Sequence, residues 1–211
     1  MRSERRMLTC SACEKTFTAR VILQVDYSRP EDRETNLGDG SLFTFACPHC
    51  GREMKMNHYL LWVDEDRKIA VCNVTCEEEK AAVEEALSAL TAFGRASEIA
   101  RRFVFSPAHL CEKKEIFSAG LDDRIVEIVK LYFAQEVRQK YPERTLNDVL
   151  FFLDGEGYGL LFQCPEGDLS VSIPKSTFEQ AAVQFSFPQP APWVVDASWA
   201  MEYLTGGIKK C

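Results

Sequence analysis

Cys10-Ser11-Ala12-Cys13 and Cys47-Pro48-His49-Cys50-Gly51 are two Cys-x-x-Cys turns, separated by the 33 residues from Glu14 to Ala46. A Cys-x-x-Cys loop can turn both sulfurs toward one point. Two such loops supply the four corners of a tetrahedron at the metal–sulfur distance Zn²⁺ prefers, about 2.3 Å. Cys10, Cys13, Cys47 and Cys50 therefore read as the four thiolate ligands of one structural Zn²⁺. The metal ties two knuckles that the intervening segment would otherwise leave free, so metal binding and local folding share one free energy.

The composition around these turns is that of a globular chain, with 46% hydrophobic and 27% charged residues among 211. No apolar run reaches the roughly 18 residues expected of a membrane span. The charged start, with Arg2, Glu4, Arg5 and Arg6, is followed by no apolar stretch, so no secretory signal is expected. The reading places the protein in the cytosol, where thiols stay reduced and paired cysteines favour metal over disulfide. Of the nine cysteines, the other five (Cys72, Cys76, Cys111, Cys164 and Cys211) form no second four-ligand pattern.

The net charge of −7 is unevenly placed. Residues 1–71 hold 11 basic and 11 acidic side chains, and residues 72–211 hold 14 and 21. An acidic second part disfavours non-specific binding to a phosphate backbone. A nucleic-acid-associated ribbon acting in transcription regulation is the alternative. It needs a basic face from Arg20, Arg52, Lys55, Arg67 and Lys68, which alternate with acids.

Working outward from the cysteines, Phe17 to Val25 is rich in β-branched residues and predicts a strand. Asp26 to Gly40 is polar and breaker-rich, a loop with one helical turn. Leu42 to Ala46 returns as a strand into the second knuckle. Glu53 to Val63 predicts another strand, Asp64 to Arg67 a hairpin turn, and Lys68 to Val71 the return strand. Thr75 begins a helix with a capping box in which Glu78 reaches back. Val83, Ala86, Leu87, Leu90 and Phe93 form its apolar stripe and Gly94 its stop. Arg101 to Phe105 predicts a short strand and Ala108 to Phe117 a helix. Leu121 to Lys140 carries the strongest helical pattern, with a buried face of Ile125, Ile128, Val129, Tyr132, Phe133 and Val137 and a stop at Pro142. Three strands follow, over Val149–Leu153, Tyr158–Gln163 and Leu169–Ile173. Asp154-Gly155-Glu156-Gly157 and Pro165-Glu166-Gly167-Asp168 divide them as turns, which predicts a meander. Lys175 to Phe185 predicts a last helix. Pro188-Gln189-Pro190-Ala191-Pro192 predicts an extended run. The tail, with Trp193, Val194, Val195, Trp199, Met201 and Tyr203, is apolar enough to pack back on the protein or against a partner.

At this point the chain resembles the bacterial CpXC-domain proteins. Their Cys-Pro-x-Cys-Gly knuckle is matched by Cys47 to Gly51. Leu60-Leu61-Trp62-Val63-Asp64 is similar to the family's following strand, and Leu121-Asp122-Asp123-Arg124 to a later helix start. The resemblance implies zinc knuckles and no particular activity. The first knuckle departs from the pattern: Glu14 stands where knuckles favour a glycine, the residue that tolerates the positive φ which aims backbone N–H groups at sulfur.

Other candidates have plainer readings. His49 lies between ligands of a knuckle that already holds two sulfurs, and His58 and His109 read as surface or half-buried residues. Asp122 and Asp123 could form a catalytic pair, but acids at a helix start satisfy its free N–H groups and dipole, with Arg124 the next partner. Cys72 and Cys76 could be a redox pair or further ligands. As small apolar residues filling a corner they need neither role, and Cys111 and Cys164 read the same way. The Gly-rich run at Gly155 to Gly159 lacks the helix and Lys-Ser/Thr of a phosphate loop.

The expectation is an α+β protein: an N-terminal zinc-ribbon antiparallel sheet, central helices and a C-terminal β-meander. Residues 1–140 read as the ribbon domain with its helical extension and 141–211 as the meander plus helix, in one core or two. The expected function is a non-enzymatic, zinc-stabilised cytosolic binding or scaffold module. Its expected partner is a protein, with nucleic acid disfavoured and no membrane.

Overall fold

A computed structural model describes residues 1–92, 99–155, 157–187, 189 and 191–207, with the backbone alone for 85–92. The elements run β1 (Arg2–Thr9), β2 (Thr16–Asp26), β3 (Thr44–Ala46), β4 (Glu53–Lys55), β5 (Leu60–Asp64), β6 (Ile69–Asn73), α1 (Glu77–Ala92) and β7 (Ala100–Val104). They continue with α2 (Pro107–Ser118), α3 (Asp123–Lys140), β8 (Asp148–Asp154), β9 (Gly157–Gln163), β10 (Leu169–Ile173), α4 (Lys175–Gln184) and α5 (Ala197–Thr205). The stripe expected at Ala86, Leu87, Leu90 and Phe93, the stop at Gly94, and Glu156, Pro188, Pro190 and Cys211 lie outside what is described. No described helix is long and apolar enough to cross a membrane.

The chain divides into two compact units, Met1–Cys111 and Glu112–Cys211, the division falling within α2. Helix α3, placed by sequence with residues 1–140, thus belongs to the same unit as β8–β10. Its Ile125, Val126 and Val129 share a core with Val149, Phe151, Leu160 and Phe162.

The first unit is built on a five-stranded sheet in the order β1-β2-β5-β6-β7. It is mixed, not antiparallel as expected: β2 runs parallel to β5, and β6 to β7. Parallel neighbours need a long crossover. The first is supplied by the segment that carries β3 and β4, and the second by the segment that carries α1. One face of the sheet buries Val21, Val25, Leu60, Trp62 and Val71 almost completely.

Strands β3 and β4 form a separate antiparallel hairpin. The single strand expected over Glu53 to Val63 is therefore two strands in two sheets. The break lies at His58, buried between the carbonyls of Tyr59 (Nδ1, 2.8 Å) and Leu42 (Nε2, 3.1 Å) and against the Phe43 ring. Phe45 of the hairpin packs on Ala19, Val21 and Leu23 of β2.

Two helix starts differ from expectation. In α1 the first intrahelical bond runs from Lys80 N–H to Cys76 O, and Glu79, not Glu78, accepts from Thr75 N–H at 2.8 Å. The start of α5 follows Asp196, whose carboxylate accepts from Trp199 N–H at 2.9 Å. The apolar tail, expected to pack back on the protein or against a partner, forms this helix. It packs Val195, Trp199, Ala200 and Tyr203 against Ile128 and Leu131 of α3.

The sheet of the second unit has three antiparallel strands in the order β10-β9-β8. Its core joins Phe151, Phe162, Ile173 and Phe178 to the apolar side of α3. Tyr132, expected on that side, is 61% exposed, because the stripe that turns inward also runs through Asp123, Glu127, Lys130, Ala134 and Val137.

Candidate metal centre

Each Cys-x-x-Cys turn closes a hairpin: residues 10–15 join β1 to β2, and residues 47–52 join β3 to β4. Their backbone hydrogen bonds correspond. Cys10 N–H donates to Lys15 O at 3.0 Å and Glu14 N–H to Cys10 O at 2.8 Å. Cys47 N–H donates to Arg52 O at 2.9 Å and Gly51 N–H to Cys47 O at 2.8 Å. In both turns the residue after the second cysteine is left-handed, with φ 59° at Glu14 and 72° at Gly51. Glu14 thus holds, with a side chain, the conformation that glycine takes in the other turn.

The tips of the two hairpins meet through sulfur. Cys10 Sγ lies 3.6 Å from Cys50 Sγ and Cys13 Sγ lies 3.7 Å from Cys47 Sγ. All four sulfurs fall within 4.8 Å of one another. Four ligands about 2.3 Å from a central Zn²⁺ stand about 3.8 Å apart, so the set fits a tetrahedral cation. Cys10 and Cys47 are buried, Cys13 is half-buried and Cys50 is exposed. Ala12 N–H points at Cys10 Sγ from 3.4 Å.

Electrostatics separates the thiols. Hydrogen bonds from the Ala12 and Cys13 backbone lower Cys10 to about 6. Cys50 is pushed up to about 12: the Arg52 backbone N–H lowers it, but desolvation of its sulfur among its neighbours, although the residue as a whole is exposed, and the sulfurs of Cys10, Cys13 and Cys47 outweigh that. One thiolate forms readily and a neighbour resists, because four negative charges at contact distance need a cation among them.

The three histidines stand apart from this set. His49 Nε2 faces Thr16 O at 3.3 Å, His58 is the buried ring described above, and His109 Nδ1 lies 3.0 Å from Ser106 Oγ. Of the further cysteines, Cys72 is buried and its thiol is raised to about 12 by desolvation. Cys76 is exposed rather than filling a corner, Cys164 is buried, and Cys111 Sγ donates to Leu37 O at 2.9 Å.

The acid pair at the start of α3 splits. Asp122 caps the helix, accepting from Arg124 N–H at 2.9 Å, and pairs with the Arg124 guanidinium at 2.7 Å. Asp123 reaches across to α2. It is fully buried and pairs with Lys113 Nζ of α2 at 3.0 Å.

The sequence expectation gives Asp123 a capping role and places no buried ion pair in this helix. The available signal was position: Asp123, Glu127 and Lys130 stand on the stripe that continues through Ala134 and Val137.

A family model described as CpXC protein matches residues 8–130, more than half of the chain. The chain belongs to the CpXC family. No curated protein and no solved structure matches it. The CpXC match begins just before the first knuckle and ends at Lys130 in α3, so it takes in both knuckles. Two other segments that resemble the family have structural work here. Trp62 is buried in β5, while Asp64 accepts from Arg67 N–H at 3.1 Å and pairs with its guanidinium at 2.7 Å, closing the β5–β6 turn. The Asp122–Arg124 segment starts α3.

Proposed function

We propose that this CpXC protein is a structural-zinc module of the zinc-ribbon kind, non-enzymatic, working in the bacterial cytosol as a binding or scaffold protein for another protein. The observation that carries the reading is the ligand set itself. Four sulfurs from two corresponding hairpin tips stand at tetrahedral spacing, and no histidine or carboxylate joins the described cluster. A catalytic zinc keeps one position for water or substrate, whereas four thiolates close the sphere. A reducing compartment keeps paired thiols such as these available to a metal.

The metal part is tested by elemental analysis of protein purified without added metal, beside a Cys47→Ser/Cys50→Ser companion. One zinc per chain, lost in the companion, is expected; iron, or no metal, contradicts it. The partner part is tested by binding in two formats. Capture of a defined protein partner that survives high salt supports the reading. Salt-dependent binding to a DNA or RNA oligonucleotide replaces it with the nucleic-acid one. An ordinary hydrolytic or transfer activity that disappears on changing Asp122, with the fold intact, overturns it.

A further inference from the structure

The sheet of the second unit has two edges, and they end differently. At β8, carboxylates of α2 take the outward N–H groups: Glu112 Oε1 accepts from Phe151 N–H and Glu115 Oε2 from Leu153 N–H, each at 2.7 Å. At β10 the sheet stops. Among the described residues, β9 is the one strand bonded to it, and no hydrogen bond ties residues 169–173 to anything beyond β9. Ser170, Val171 and Ser172 are exposed.

An open edge offers its outward N–H and C=O groups to another chain, and soluble proteins guard such edges with charge, proline or a covering element. Edge strand β1 of the first unit is guarded by charge, with Arg2, Glu4, Arg5 and Arg6 in eight residues. Strand β10, Leu169-Ser170-Val171-Ser172-Ile173, carries neither charge nor proline. We propose that β10 is a self-association edge: two copies of the chain pair β10 with β10, antiparallel about a two-fold axis at Val171, and so join their two sheets into one.

The strand is its own complement. Pairing centred on Val171 sets Leu169 against Ile173 of the second copy, Ser170 against Ser172, and Val171 against Val171. Apolar groups then meet apolar groups and hydroxyls meet hydroxyls, as favourable cross-strand pairs do. The flanking charges obey the same symmetry. Exposed Asp168 precedes the strand and exposed Lys175 follows it. Antiparallel pairing brings Asp168 of each copy beside Lys175 of the other, whereas parallel pairing would bring like charges together. Asp168 is held at its end by Cys164 N–H, which donates to Oδ1 at 3.1 Å, and Lys175 Nζ lies 5.4 Å from the Tyr158 ring centre. Val171 is 37% exposed although its cross-strand row continues through Leu160 and Phe151, both buried in the core. A second copy would cover the open end of that row. The proposal does not rest on the metal, because all four cysteines of that site lie in the first unit.

Five paired residues make a small contact beside the roughly 1,600 Å² of a standard interface, so a dimer that dissociates at micromolar concentration is expected. The test is sedimentation velocity of the full chain across micromolar concentrations, beside Val171→Lys and Val171→Glu. Wild type should pass from monomer to dimer. Each variant sets like charges against each other at the two-fold axis and should weaken the dimer about tenfold or more. An equal mixture of the two variants should regain it, because the new charges are then opposite. A wild type that stays monomeric, a dimer indifferent to both variants, or a mixture no better than either variant alone overturns the proposal. Should circular dichroism show that the variants do not fold, hydrogen exchange of the wild-type chain decides. Protection of residues 169–173 that grows with protein concentration supports the proposal, and protection independent of concentration refutes it.

Discussion

Hairpin β3–β4 has three residues in each strand and buries one apolar side chain in them, Phe45, whereas α3 buries nine of its eighteen residues. The hairpin has almost no core of its own. A short hairpin is at best marginal in water. Its tip brings Cys47 and Cys50 to the sulfurs of Cys10 and Cys13, and it rests on β2 through Phe45. Helix α3 needs no such clip, because apolar neighbours from β8, β9 and α5 surround it. It can even bury charges, provided they are paired. On the proposed reading, the metal serves this small mixed sheet not under its large faces but at the outlying hairpin that apolar burial does not reach.

The largest way to break this contrast is to remove the metal. Chelation, or Cys47→Ser with Cys50→Ser, deletes a term of about 10 kcal/mol of metal-coupled folding. Hydrogen exchange should then speed up in β3, β4 and residues 10–15 while α3 and β8–β9 keep their protection. Equal loss in both units would mean that the metal supports the whole chain.

Next in size is the buried pairing itself. Lys113→Met strips Asp123, Glu127 and the Val195 carbonyl of their shared donor, at a cost of about 3–5 kcal/mol. Denaturant unfolding should show that loss in the second unit with zinc content unchanged. Asp196→Ala removes the carboxylate that caps α5 and should cost about 1 kcal/mol. That loss should be read as faster exchange in α5 and weaker packing of Trp199 by fluorescence.

The smallest change sharpens the comparison of the two knuckles. Glu14→Gly relieves a side chain held at φ 59° and should gain about 1 kcal/mol, roughly a fivefold rise in metal affinity by competition with a chelator. Gly51→Ala should lose about as much. Its added Cβ meets nothing within 4 Å, so the cost is conformational and not a clash.

The parts legible in sequence were those whose physics is local. Two Cys-x-x-Cys spacings point to one site because each sulfur pair is set by its own turn, and Gly51 against Glu14 already marked the weaker knuckle. Asp122 was legible as a cap for the same reason. Strand β1 was not. Arg2, Glu4, Arg5 and Arg6 give an edge strand with no apolar alternation, and it becomes a strand only by pairing with β2. The parallel pairings were hidden because the chain leaves the sheet to make β3–β4 and then returns. The roles of Asp123 and Lys113 were hidden because a charge on a helix is ordinarily solvated. Only the packing of α2, α3 and the residues before α5 around them takes the water away.

The most direct test of the clip is X-ray absorption at the zinc edge on the purified full chain. Four sulfur scatterers at about 2.3 Å and no lighter ligand are predicted. A nitrogen or oxygen in the first coordination shell would contradict the closed four-thiolate site and return the knuckles to the candidates for chemistry.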